Sequence, residues 1–427
     1  MKRLFKNTKL MLGLAATLFI IGAFFITKGI VDANRLEPGW ESLALSKVMN
    51  AEGVEIYPFN YEINLHYYFS TRDQEKREQM VQMESYFNEK IAEISNLLDA
   101  DNLYLDDNNQ YLVNLAYINQ HSAETLTIAE PLYSMLKQAY HFTIESSGEY
   151  NIFAGNLRLF WEQQFLSDNP TSTDPQHDLV TQNQLNGIVQ DLARQSSLLN
   201  IGLTFNDANN QLSIAYHQDN TNELMIDFQY LKYAFALDYL QQSFIEQNYR
   251  WGYFTSSYGH LALLGPNPEY TEQDWILNIA YPGDASESLA RMTYSNVNQL
   301  QSVMISDSTR YSYSIRSDFS LDTPDRLRHP FYSSTTGYPS DSFRNFVAVS
   351  ADENLVSLSY YALMAFLSPH EEAYNIMEEN LFADCLSIAV YNRGNPIDND
   401  DLQVLFTNGN NHQIQWSDHI SLSDLSN

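Results

Sequence analysis

The stretch "LYSMLKQAYHFTIESSGEYNIFAGNLRLFW", from Leu132 to Trp161, decides the fold. Its first part has a helical pattern that begins near Pro131 and ends at Gly148, because proline fits the first helical turn and glycine suits the residue that ends a helix. The part that follows carries a spaced pattern of small, polar and apolar residues, namely Ser147, Gly148, Asn151, Gly155, Leu157 and Trp161. This helix and the motif behind it are the most specific signal in the chain, and the other segments are placed in order around them.

The N-terminus has the pattern of a membrane anchor. Its first nine residues carry four basic side chains, and Leu10 to Thr27 then runs without a charge. That length suits a membrane span, and the basic residues are expected to stay in the cytoplasm. We therefore predict a single-pass anchor at residues 1–30, a juxtamembrane linker at 31–54 and an extracytoplasmic domain at 55–427, which places the protein at the cell membrane. The small residues of "VDA" (31–33) leave cleavage as a signal peptide open.

The charge balance excludes one class of partner. The chain has 53 acidic residues against 23 basic ones, a formal net charge of −30. Such a surface repels nucleic acid, so nucleic-acid binding is not expected. Its single cysteine, Cys385, has no partner for an internal disulfide and is predicted to be a buried small side chain.

Helices and strands occur in clumps along the chain. Helical periodicity predicts helices over 74–98, 130–148, 180–200 and 355–367, and from Asp227 onwards. Alternating or apolar runs predict strands within 54–70, 210–217, 222–228, 275–281, 346–351, 386–392 and 402–408. This grouping favours an α+β fold with an antiparallel sheet core and flanking helices over regular βαβ alternation.

The segment "DFQYLKYAFALDYL", Asp227 to Leu240, raises a question about function. Phe228, Leu231, Phe235 and Tyr239 recur at helical spacing, so one face is expected to be buried. Tyrosines stand where a binding loop would need small residues. Asp227 fits two roles equally: a helix N-cap or a residue of a binding site.

In order along the chain, these segments resemble the FAD:protein FMN transferase family, known as the ApbE family. The segment Leu132 to Trp161 fits the family's "T.G.fni..G.L..W" pattern, and Asp227 to Leu240 lies over "DLGAIAKGYAVDYL". "YSIRSDFS" stands where "ISTSGDY" is expected, "HPFYSSTTGYP" where "HIIDPKTGYP" is expected, and "SYYALMAFL" over "DALSTALF". The resemblance covers about residues 60 to 410 and implies the T-fold type of α+β domain.

The resemblance also implies a chemistry. Family enzymes bind FAD with Mg²⁺, transfer FMN to a threonine hydroxyl of a partner protein and release AMP. Such a reaction needs oxygen ligands for the cation, glycines for close backbone approach and a base for the attacking hydroxyl. The family positions imply His329 as the catalytic residue and Ser359 at the metal position. The implied cofactor-binding residues are Asp227, Gly259, Asp318, Thr336 and Gly337. His329 also fits an ordinary loop histidine, and Thr336 with Gly337 fits a plain turn.

Several chemical positions depart from the family pattern. Gln229 and Ala234 replace glycines, and Tyr233 replaces a lysine. The metal-binding aspartate and threonine of the family fall on Ser359 and Leu363, so FAD and Mg²⁺ remain candidate cofactors whose expected metal ligands are missing. We therefore predict a family member with lost or weakened flavin transfer that binds flavin or a partner protein. The alternative is an active enzyme with changed metal ligands that modifies surface redox proteins, and an unrelated solute-binding domain is a third class.

Overall fold

The architecture comes from a computed structural model. It describes residues 35–166, 174–176, 178–196, 201–216, 225–268, 274–281, 284–294, 300–306, 329–340, 342–351, 353–381, 385–392, 402–407, 412–416 and 421–422. The predicted anchor at 1–30 and the predicted binding residue Asp318 lie outside these ranges. Within them, no helix has the length and apolar character needed to cross a membrane.

Eight α-helices lie in the described ranges. They are α1 (Asp73–Leu98), α2 (Leu115–Gln120), α3 (Glu130–Glu145), α4 (Gly155–Leu166), α5 (Leu179–Ser196), α6 (Leu231–Glu246), α7 (Leu355–Leu367) and α8 (His370–Glu379). The long α1 is amphipathic, because Met83, Phe87, Ile91 and Ile94 recur at steps of three and four and are all buried. Helix α7 has the predicted bounds and is buried over most of its surface.

Seventeen β-strands lie in the same ranges. They are β1 (Gly39–Ser42), β2 (Val48–Met49), β3 (Glu55–Ile56), β4 (Ile63–Phe69), β5 (Leu126–Thr127), β6 (Ile201–Asn206), β7 (Gln211–Tyr216), β8 (Gly252–Ser256), β9 (His260–Leu263), β10 (Trp275–Tyr281), β11 (Asp284–Tyr294), β12 (Gln301–Ser306), β13 (Asn345–Ser350), β14 (Leu386–Asn392), β15 (Leu402–Thr407), β16 (His412–Trp416) and β17 (Ser421–Leu422). Nine of them form one sheet in the order β1-β4-β8-β9-β12-β13-β14-β15-β17. Neighbours are antiparallel except β15 and β17, which are parallel. The prediction of an α+β fold with an antiparallel sheet core is confirmed.

The large sheet is covered on both faces. Along β13, Phe346 and Ala348 belong to the core that contains α1, α6 and α7, whereas Val347 and Val349 belong to a second core with Trp275 of the sheet β10-β11-β16. Since successive strand residues point to opposite faces, a strand buried on both sides needs an unbroken apolar run. This explains why "FVAV" lacks polar alternation.

The described part of the predicted linker, residues 35–54, is folded rather than a spacer. Strand β1 pairs antiparallel with β4 at the edge of the large sheet. The buried Lys76 Nζ donates to Glu37 O at 2.8 Å and pairs with Glu41 Oε1 at 2.5 Å. Leu36 and Asp73 also bond reciprocally, with Leu36 N donating to Asp73 Oδ1 at 3.0 Å and Asp73 N to Leu36 O at 2.9 Å. The folded domain therefore begins before the predicted boundary at residue 55.

The predictions around Asp227 need correction. The described part of the predicted strand 222–228, residues 225–228, forms no strand. Helix α6 begins at Leu231 with Tyr230 as its N-cap residue, so Asp227 is not the N-cap. Two residues, Phe228 and Gln229, separate Asp227 from that cap, and the chain turns at Gln229 and Tyr230.

Candidate functional site

The turn before α6 is built around Asp227. The Asp227 amide N donates to Ile152 O at 2.8 Å, and its Oδ1 accepts from the Gln229 amide N at 2.5 Å. This is the local side-chain-to-backbone bond that aspartate forms in turns. Asp227 is thus bonded to the motif around Ile152, which brings the segments Leu132 to Trp161 and Asp227 to Leu240 together.

Arg158 occupies the other oxygen of Asp227. The Arg158 Nε lies 2.8 Å from Asp227 Oδ2 as an ion pair, without the alignment of a hydrogen bond. The same guanidinium donates to both Glu162 oxygens at 2.9 and 2.8 Å and to Asp101 Oδ1 at 2.6 Å. Burial alone would lower the pKa of Arg158. The negative charges of Asp227, Glu162 and Asp101 outweigh this effect and raise that pKa well above its ordinary value. Both Asp227 oxygens therefore contact protein groups and not an open site.

Gln229 occupies a backbone position that suits glycine. Its φ is +52°, in the left-handed region that costs a non-glycine residue about 1 kcal/mol or more. The Gln229 side chain is directed back into the turn, and its Nε2 donates to Asn151 O at 2.7 Å. At this position, where the resemblance implies a glycine, a side chain bonds to the neighbouring segment.

A buried group of aromatic rings lies behind this turn. We call it the tyrosine cluster and define it as Tyr230, Tyr233, Tyr258, His260 and Glu62. The Tyr233 ring stacks on Tyr258 with centroids 4.3 Å apart, and the Tyr230 ring centroid lies 4.6 Å from that of His260. The Tyr233 hydroxyl donates to Glu62 Oε2. All five residues are buried, so the tyrosines predicted to fill the loop do occupy the interior.

Burial sets the charge state of the tyrosine cluster. Loss of hydration raises the pKa of Tyr230, Tyr233 and Tyr258 well above their ordinary values, so their hydroxyls stay protonated. The same effect lowers the pKa of His260 to about 3. His260 Nδ1 lies 2.8 Å from Ser256 Oγ, whereas His260 Nε2 and the Tyr230 hydroxyl have no hydrogen-bond partner among the described residues. At neutral pH the imidazole is therefore uncharged.

Gly259 lies in the tight turn between β8 and β9. Its φ is +87°, its amide N donates to Ser256 O at 3.1 Å, and its carbonyl accepts from Met304 N at 2.9 Å. A Cβ at this position would lie 1.9 Å from Met304 O. The glycine is required by the approach of β12, which accounts for this residue without a cofactor.

Thr336 and Gly337 form a turn that contacts the motif segment. Gly337 has a φ of +80°, its N donates to Ser333 O at 2.8 Å, and its carbonyl accepts from Trp161 Nε1 at 2.8 Å. Thr336 is exposed, and its amide N donates to Ser333 Oγ at 3.0 Å. The threonine is accessible, while the glycine is fixed by Trp161.

His329 is a core residue. Its side chain is fully buried, Nε2 donates to Ser340 O at 2.7 Å, and Nδ1 accepts from Phe331 N at 3.2 Å. Since a carbonyl can only accept and an amide N–H can only donate, these bonds define the neutral tautomer with its proton on Nε2. The catalytic role of His329 stays a prediction, and this geometry assigns both ring nitrogens to the fold.

The predicted metal position is also part of the core. Ser359 is fully buried, and its Oγ donates to Leu355 O at 2.6 Å, one turn back in α7. Leu363, on the next turn, is 4% exposed. No group of three His, Cys, Asp or Glu side chains that could hold a metal occurs in the described part of the chain. A magnesium ion therefore does not fit the residues at this position.

Sequence reasoning missed Arg158 and Glu62. Arg158 lies between Leu157 and Phe160 in the "GNLRLFW" run, and a single charge in an apolar run signals a buried ion pair. Glu62 has no such signal, because its partner Tyr233 lies 171 residues away.

Comparison with protein-family models matches residues 61–386 to the ApbE family. The ApbE protein of Thermotoga maritima is similar in structure, with a TM-score of 0.53 and 13% identity over 82% of this chain and 94% of that one. The flavin transferase ApbE of Vibrio cholerae has a TM-score of 0.54 and 13% identity, covering 90% and 98% of the two chains. The apo flavinyl transferase ApbE of Pseudomonas stutzeri has a TM-score of 0.51 and 10% identity, covering 88% and 96%. No curated protein matches the chain.

These structural likenesses show the fold, and the family match extends over most of the chain. The chain therefore belongs to the ApbE family.

Proposed function

We propose that this protein is a membrane-anchored, extracytoplasmic ApbE-family member in which magnesium-dependent flavin transfer is absent or very weak. It acts instead by binding a partner protein or a flavin. The observation that carries the proposal is the tyrosine cluster, which is packed behind the turn where the family resemblance places a cofactor loop.

The tyrosine cluster opposes a bound cofactor energetically. Tyr230 and Tyr233 are 5% and 3% exposed, so a ligand in their place must first expel both rings. A buried tyrosine covers about 150–250 Å² of surface, and re-exposing mostly apolar area costs about 25 cal/mol per Å². Each ring thus costs about 4 to 6 kcal/mol, which weakens binding by about 100-fold or more per ring. Gln229 adds to the cost of placing a ligand here, because its side-chain amide is hydrogen-bonded to Asn151 O.

The metal position supports the same proposal. Mg²⁺ requires oxygen ligands in near-octahedral geometry. Ser359 already donates its hydroxyl within α7, and Leu363 has no ligand atom. Without the cation, the negative charge of a phosphoryl transition state has no counter-charge at this position.

The proposed location rests on the N-terminal sequence. The basic start and the uncharged run from Leu10 to Thr27 support an anchor with the folded domain outside the cytoplasm. A domain in that position would meet other surface proteins, including redox proteins of the kind that the family modifies.

The test is calorimetric titration of FAD into the full chain with and without Mg²⁺, together with incubation with a threonine-bearing target peptide followed by mass spectrometry. We expect no Mg²⁺-dependent heat and no FMN-labelled peptide. Binding of FAD without labelling would identify the flavin-binding form of the proposal. Micromolar binding that strengthens with Mg²⁺, together with labelling, would instead establish the active enzyme with changed metal ligands.

A pair of variants tests whether the rings are the obstacle. Tyr230→Ala with Tyr233→Ala removes both rings and should strengthen FAD binding by about 100-fold or more. Tyr230→Phe with Tyr233→Phe keeps the rings and serves as the control, which should bind FAD as weakly as the natural chain. Equal binding by all three proteins would show that the tyrosine cluster does not occlude a flavin site.

A further inference from the structure

A groove lies between α4 and α5, and no residue of the tyrosine cluster lines it. It has a volume of about 540 Å³, and its apolar floor includes Leu159, Phe160 and Ile188. Pockets of about 300–1,000 Å³ are the usual size of ligand sites. We call it the α4–α5 groove. None of the predicted site residues that the structure describes lines it.

The two helices that form the walls of the α4–α5 groove have the same arrangement of side chains, with polar residues on either side of a central apolar residue or glycine. On α4, Asn156 and Gln163 lie on either side of Leu159, and on α5 the lining residues Gln184 and Asp191 lie on either side of Gly187. The steps of three and four residues place each set on one helical face. Each wall is therefore polar at its ends and apolar or open at its centre.

Gly187 keeps the centre of the groove wide. It lies inside α5, where glycine costs about 1 kcal/mol relative to alanine. A Cβ at this position would meet nothing within 4 Å, so no neighbouring atom requires glycine here. The absent side chain leaves room in the groove for a side chain of another molecule.

The dimensions and polar groups of the groove match an extended peptide. Asn156 and Gln163 are seven residues apart, about 10 Å along the helix, which is the length of about three extended residues. A side-chain amide both donates and accepts hydrogen bonds, as does a peptide group. Amides at both ends of an apolar centre can thus bond the backbone of a segment whose middle side chain lies over Gly187.

The charge of the groove selects the partner. Asp191 is the one ionisable side chain among the described residues that line it, and the chain as a whole has a net charge of −30. A basic segment is attracted by this field and an acidic one is repelled.

We propose that the α4–α5 groove binds an extended, basic segment of a partner protein, with an apolar side chain seated over Gly187. This inference rests on the proposed function in one respect, because the groove would be the surface through which the protein binds its partner. Its test uses neither flavin nor Mg²⁺, so either proposal can fail while the other stands.

The test is selection from a pool of acetyl-Lys-Xaa-Xaa-Xaa-Lys-amide peptides on the immobilised full chain. Gly187→Phe fills the groove centre, and Gly187→Ala is the matched control because it removes the glycine and leaves the groove open. We expect peptides with an apolar middle residue to be enriched by about tenfold or more on the natural chain and on Gly187→Ala, relative to Gly187→Phe. Thermal unfolding of both variants confirms that they fold.

Fluorescence polarisation of the selected peptide then tests the amides. Asn156→Leu and Gln163→Met keep the approximate side-chain size and remove the hydrogen bonds, and each should weaken binding by about threefold to tenfold. Equal enrichment on all three proteins would mean that charge alone attracts the peptides and would overturn the proposal. The absence of any enriched sequence on the natural chain would also overturn it.

Discussion

Acid should destabilise the protein through His260. Its imidazole is 1% exposed, and burial lowers its pKa from the ordinary 6.5 to about 3. In the unfolded chain the histidine binds a proton near its ordinary pKa, while in the folded chain it stays neutral. Because the unfolded state then holds more protons, folding stability is complete above about pH 6.5 and is lost as the pH falls towards 3.

The size of the effect follows from the same two values. Each pH unit below 6.5 costs about 1.4 kcal/mol, so the full loss down to pH 3 approaches 5 kcal/mol. At about pH 5.5 the expected loss is about 1.4 kcal/mol. That pH stays above the isoelectric point near 4.5, so the protein keeps its net negative charge.

The assay is urea unfolding of the natural chain and of His260→Asn at about pH 7.5 and about pH 5.5. Asparagine does not titrate, and its side-chain amide can hydrogen-bond with Ser256 Oγ, which lies 2.8 Å from the imidazole Nδ1. The carboxylates change equally in both proteins, so the difference between the two proteins isolates the histidine. The variant should gain about 1.4 kcal/mol relative to the natural chain on acidification. The same pH dependence in both proteins would refute the reasoning.

Three further substitutions test other features. Burial raises the pKa of Asp238 to about 6, which favours its protonated form, so stability is lost as the pH rises from the ordinary 3.8 through 6. Asp238→Asn should therefore be more stable than the natural chain by about 3 kcal/mol in urea at neutral pH, and a less stable variant would contradict this. Gly259→Ala should cost about 3 kcal/mol or more in urea unfolding because of the backbone clash with Met304, whereas a loss of less than about 1 kcal/mol would disprove the close approach. Ser359→Ala should change thermal stability by less than about 1 kcal/mol. Mg²⁺ should move the melting temperatures of this variant and the natural chain equally, so a Mg²⁺ stabilisation that the variant loses would restore Ser359 as a ligand.

The predictability of each element depended on how local its determinants are. Helix α7 has its predicted bounds, and both of its ends are determined locally. The Asn354 side chain caps its start by accepting from Ser357 N, and Pro369 follows its end. The turn at Asp227 is not predictable from the sequence in the same way. Aspartate bonds to nearby amides both in helix N-caps and in isolated turns, and the sequence does not distinguish these two roles. Strand β1 was missed because its four residues carry no pattern of their own and pair with β4 far along the chain.

In the candidate site, too, some features are determined locally and others depend on residues far apart in the sequence. Replacement of the family's glycine by Gln229 was visible in the sequence, and so was the excess of tyrosine. The way in which these residues fill the interior depends on Glu62, which meets Tyr233 across 171 residues. Glu62 follows a turn in which Phe59, Asn60 and Tyr61 all have positive φ, a conformation that no propensity predicts for three successive non-glycine residues.

The attachment of residues 35–42 to β4 and α1 limits the reach of the domain. The reciprocal hydrogen bonds between Leu36 and Asp73, together with the bonds of the buried Lys76, fix the position of residue 36 relative to the sheet. If the proposed anchor ends at residue 30, the connection from there to residue 35 spans five residues. Fully extended, it would be at most about 18 Å long. An anchored domain would therefore stay beside the bilayer, within reach of partners that are themselves held there. The whole chain has a net charge of −30, and this acidic excess would turn the most acidic side of the domain away from anionic headgroups.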